Sequence, residues 1–83
     1  MVDIEHVDIA ALLHFLADAF RGAPPEGDVV GRSKLRDAVA AQLSCSQLQA
    51  EQLVDTLVLR RCLELVRTPG ELPFWRIRLG RED

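Results

Sequence analysis

Apolar residues recur first with a helical period. From Val7 to Arg21, a turn of about 100° per residue gathers Ile9, Leu12, Leu13, Leu16, Ala19 and Phe20 on one stripe, with His14, Asp18 and Arg21 opposite. An amphipathic helix is predicted there. Gly22, which tolerates left-handed backbone, and Pro24-Pro25, which cannot continue a helix, supply its stop. Ala23 to Asp28 reads as loop, and Val29-Val30, β-branched and brief, as a short extended segment suited to a sheet edge. Ser33 then offers an N-cap hydroxyl to a second helix over Lys34 to Leu43, whose apolar positions are Leu35, Ala38, Val39 and Leu43. Ser44-Cys45-Ser46 interrupts the pattern. Ser46 or Ser44 caps a third helix running to about Arg61, with Ala50, Leu53, Val54, Leu57 and Val58 on its buried side. A connection of about three residues between two helices is the length expected of a helix-turn-helix.

After Arg61 the period changes to two. Leu63 and Leu65 alternate with Glu64 and Val66, Thr68-Pro69-Gly70-Glu71-Leu72-Pro73 supplies a turn, and Trp75, Ile77 and Leu79 alternate with Phe74, Arg76 and Arg78. This predicts a β-hairpin with one apolar and one charged face, Trp75 belonging to the core. The order of helix, short strand, helix, turn, helix and hairpin resembles the winged-helix family over nearly the whole chain. Ser33 to Leu43 looks like that family's second helix, Ser46 to Arg61 like its recognition helix, and Leu63 to Leu79 like its wing. Members commonly carry a glycine where the recognition helix hands over to the wing; here Arg60-Arg61-Cys62 stands there. Either the helix exits differently or a non-glycine residue takes the left-handed conformation.

The expected fold is therefore α+β and mostly α, a three-helix helix-turn-helix core with a C-terminal β-hairpin wing, forming one domain over residues 1–83. Hydrophobic residues at 48% and charged residues at 28% suit a globular chain rather than a disordered one. No apolar run approaches the roughly 18 residues that a membrane helix needs, and the acidic start Met1-Val2-Asp3-Ile4-Glu5 lacks the marks of a signal peptide. A cytoplasmic location and no membrane partner are expected by default. Cys45 and Cys62 sit in no metal-site spacing and read as small, reduced core or near-core residues, with a disulfide or metal site as minor alternatives. No metal and no small-molecule cofactor are expected.

Charge divides the chain. Residues 1–57 carry net −5 and residues 58–83 net +2, within an overall charge of −3. That overall sign disfavours a domain whose main work is gripping phosphates. If the winged-helix resemblance extends to DNA binding, it places the front of the third helix in the major groove: Ser46, Gln47, Gln49 and Gln52, with Ser33 and Lys34 near phosphate. Glutamine can read adenine bidentately, though these are also ordinary solvent-facing residues. Against DNA, Glu51 and Asp55 lie near one meridian of that helix, and no base appears on it before Arg60.

Leu48 and Leu59 fall within about 20° of each other, on the side away from Leu53, Val54 and Leu57. With Gln52 and Asp55 they make a mixed apolar and acidic strip, which suggests a docking surface; Glu51 flanks it. The alternative packs Leu48 under the second helix and Leu59 against the hairpin. Arg67, Arg76, Arg78 and Arg81 are the candidates for an anion. Glu64 lies within cross-strand reach of Arg76 and Arg78, whereas Arg67 has no obvious partner. His6 and His14 cannot share a ligand, and His14 stands four residues before Asp18, a spacing for a modest ion pair. There is no paired-carboxylate cleft, Gly-rich phosphate loop or nucleophile with a base, so catalysis is not expected. The leading expectation is a non-catalytic interaction or regulatory adaptor module that binds another protein or a second copy of itself. The competing one is a dimeric, transcription-factor-like DNA binder.

Overall fold

The structure is a computed structural model and describes residues 7–79. Helix α1 spans Ile9–Ala19. The carboxylate of Asp8 accepts the Ala11 amide at 3.1 Å, which satisfies one of the four donors a helix leaves open at its start. Leu12, Leu13 and Leu16 go into the core and Phe20 is half-buried, but Ala19, expected on the same stripe, is exposed. The helix ends there, and the position no longer faces a neighbour.

Helix α2 spans Asp28–Leu43 and begins a turn and a half earlier than the sequence pattern suggests. Val29 and Val30 are helical and exposed, not extended. Ser33 lies inside the second turn, so it is no N-cap; Gly27 holds that place at φ 92°, without a side-chain cap. The extended contact sits instead at Glu26, bridged to Phe74, with the Gly27 amide donating to the Pro73 carbonyl at 2.7 Å and the Trp75 amide to the Pro25 carbonyl at 2.9 Å. Tertiary packing explains the shift. The Trp75 indole N–H donates to the Gly27 carbonyl at 3.1 Å, and the ring lies so close to Gly31 that a Cβ there would stand 2.6 Å from its Cδ1. The first turn of α2 is thus fitted around a tryptophan more than forty residues away, and this contact overrides the local β preference of two valines.

Ser44, left-handed at φ 53°, closes α2, and the Cys45 amide reaches back to the Ala40 carbonyl. Ser46 caps helix α3, Gln47–Leu59, in a reciprocal box with Gln49. Three residues therefore separate the two helices, as expected. Ala50, Leu53, Val54 and Leu57 of α3 are buried against Leu35 and Val39 of α2 in the shared core.

The handover to the wing is made by Arg61 in a left-handed conformation, φ 62°. The Arg61 amide donates to the Val58 carbonyl and the Cys62 amide to the Leu57 carbonyl, the paired bonds of a helix stop that normally ends on glycine. The second of the two expected alternatives is therefore the one adopted. Strand β1, Leu63–Val66, then pairs antiparallel with β2, Phe74–Ile77, in the register Leu63 to Ile77, Glu64 to Arg76, Leu65 to Trp75 and Val66 to Phe74. Leu63 and Trp75 complete the core as anticipated, while Leu79 remains half exposed beyond the last strand residue. The result is α+β and mostly α, three helices followed by a C-terminal hairpin wing.

Candidate docking face on the third helix

The inward face of α3 is closed by α2, which leaves its opposite face outside. Leu48 is 70% exposed and Leu59 82% exposed. The alternative in which these leucines pack under α2 and the hairpin does not hold. Gln52 and Asp55 are exposed between them, so the strip Leu48, Gln52, Asp55 and Leu59 is a solvent-facing surface.

The carboxylates beside this strip are not free charges. Arg32 on α2 donates from Nε to Glu51 Oε1 at 3.0 Å and from Nη2 to Asp55 Oδ1, while Arg36 places Nη1 at 3.8 Å from Glu51 Oε2 and holds Asp37 at 3.0 Å. Helix α3 itself offers Glu51 and Asp55 no cation. The packing of α2 on α3 supplies two, one helical turn apart, against carboxylates four residues apart. The spacing i and i+4 at both Arg32/Arg36 and Glu51/Asp55 was the available signal, but only the register of the two helices joins them. Both arginines are only about a quarter exposed, which gives this network less screening than an open surface pair.

The residues offered for nucleic acid are placed less favourably. Ser46 and Gln49 are turned on one another, the Gln49 amide donating to Ser46 Oγ at 3.1 Å and the Ser46 amide to Gln49 Oε1 at 3.2 Å. Gln47 and Lys34 are exposed, and Ser33 is half-buried within α2. On the wing, Arg67 is not without a partner as expected: it reaches Asp28 in the first turn of α2 at 3.2 Å. Arg76 and Arg78 both lie 4.0 Å from Glu64, as the cross-strand spacing predicts. Arg81 and His6 lie outside the described residues.

Asp18 is taken by Arg21, three residues on, rather than by His14. These side chains, with Ala11, Phe15 and Leu79, line an open depression of about 550 Å³. Among the described residues, no group of three or more His, Cys, Asp or Glu is arranged to hold a metal, and Cys45 and Cys62 are unjoined and half-buried. No helix among them is long and apolar enough to cross a membrane. Comparison with protein-family models, with curated proteins and with solved structures gives no match.

Proposed function

We propose that this chain is a non-catalytic binding module of the winged-helix type, and that it docks a protein through the outer face of α3. The observation that carries the reading is the exposure of two leucines, 70% and 82%, on one helical strip. Isolated exposed leucines are ordinary, but two on one strip with a polar centre resemble the anchors of a helix-borne interface. The arginine clamp supports the same reading. Arg32 and Arg36 offset the charge of Glu51 and Asp55, so the flank of the strip can lose water without stranding bare carboxylates.

The DNA reading draws less support. A groove-reading helix needs free polar edges and nearby cations, whereas Ser46 and Gln49 serve as a helix cap, and Arg67, Arg76 and Arg78 each face a carboxylate of the same chain.

Affinity capture with the wild-type chain beside Leu48→Asp/Leu59→Asp tests the proposal. Proteins recovered by the wild type and lost with the variant are expected, together with no salt-dependent binding of duplex DNA by fluorescence anisotropy. Duplex binding that steepens at low salt and fails in Arg76→Ala/Arg78→Ala would transfer the function to the competing reading.

A further inference from the structure

The strip on α3 carries a symmetry of its own. Its outward residues follow one another at intervals of four, three and four: Leu48, Gln52, Asp55, Leu59. That spacing alternates as the seam positions of a two-helix coil do, and it keeps all four residues on one side of a helix. The order also reads the same from either end, as leucine, polar, polar, leucine. The two polar residues differ in the way a self-matching surface requires. Gln52 has an amide that donates two hydrogen bonds, and Asp55 a carboxylate with accepting capacity beyond its bond to Arg32.

We propose that the occupant of this face is a second copy of the chain, its α3 lying antiparallel to the first about a two-fold axis between Gln52 and Asp55. This rests on the docking reading above and names its partner. In that alignment Leu48 of each copy packs on the second copy's Leu59, twice, and the Gln52 amide of each copy meets the second copy's Asp55 carboxylate, twice. A two-fold contact uses one patch on both sides, so the patch must complement itself, and this one does. In a parallel alignment each residue would face its own copy, so Asp55 would meet Asp55 and neither Gln52 amide would find a carboxylate opposite it. The clamp makes the antiparallel arrangement tolerable: near the axis the two Asp55 side chains approach one another, and each already carries Arg32 as counter-charge. The seam is short. A helix of 13 residues is about 20 Å long, which puts the contact at the small end of specific interfaces.

Sedimentation equilibrium of the purified chain over micromolar to millimolar concentration tests the pairing, with Leu48→Lys, Leu59→Glu and the double variant L48K/L59E measured alongside. Both positions are exposed, so the helical circular dichroism of all four proteins should agree. The wild type is expected to pass from monomer to dimer, and each single variant to weaken that step by about tenfold or more. The double variant should associate more tightly than either single one, because each new lysine then faces the second copy's new glutamate. A double variant weaker than both singles overturns the antiparallel alignment. A dimer indifferent to both single substitutions, or a chain that stays monomeric throughout, overturns self-pairing through α3. If proteins are then still captured in a Leu48- and Leu59-dependent way, only this inference fails; if capture ignores both leucines, the docking reading fails with it.

Discussion

The two faces of α3 use the same residue type for opposite purposes. On the inner face Leu53 and Leu57 are 2% and 0% exposed, locked among Leu35, Val39 and Leu63. On the outer face Leu48 and Leu59 touch little of their own chain. The helix that completes the core therefore also carries apolar surface outside it, and position on the wheel, not residue identity, decides which leucine stabilises the fold and which stays exposed. Substitutions on the two faces should accordingly separate stability from association.

The largest effect is expected from Leu57→Ala. Removing a fully buried leucine side chain should cost about 2–5 kcal/mol of unfolding free energy in a denaturant titration, enough to threaten a chain of this size. Next comes Gly31→Ala, which introduces a methyl at the 2.6 Å approach to the Trp75 ring. The ring and the first turn of α2 must separate, at about 1–3 kcal/mol, with a shift in tryptophan fluorescence as the second readout. Arg61→Gly works in the other direction: relieving a left-handed non-glycine residue should raise stability by about 1 kcal/mol. Arg32→Ala should cost no more than about 1 kcal/mol, but the loss should shrink in high salt, and association should weaken because Asp55 would then enter the contact unneutralised. Smallest on stability, and sharpest for the comparison, is Leu48→Ser/Leu59→Ser. Unfolding should move by less than about 0.5 kcal/mol, while association is lost.

Much of this architecture is legible along the chain because its signals are periodic. The buried stripe of α3, the three-residue turn before it and the alternation that sends Trp75 and Ile77 to one face of the hairpin each follow from local spacing. The start of α2 does not. Two β-branched residues and a serine imitate a strand followed by a cap, and what overrides them is Trp75 packing on Gly31 and bonding to the Gly27 carbonyl, a contact across the length of the domain. The handover shows the same limit, since nothing local distinguishes an arginine able to occupy the place of a helix-stopping glycine. At the candidate site, Leu48 and Leu59 are readable from the wheel. The clamp of Arg32 and Arg36 on Glu51 and Asp55 is not, because it depends on how far α2 slides along α3. That slide is set by the cores of both helices rather than by either charge pattern, and it turns an apparently bare acidic flank into a neutralised one.

Two copies of the chain are proposed to meet through the outer face of α3. A dilution series of the isotope-labelled chain, followed by its backbone amide chemical shifts, addresses this directly. Shifts that move with concentration and cluster at Leu48, Gln52, Asp55 and Leu59 are predicted, with the amides of Leu53 and Leu57 moving less. Shifts confined to the wing between Arg67 and Phe74, or none at any concentration, would contradict it.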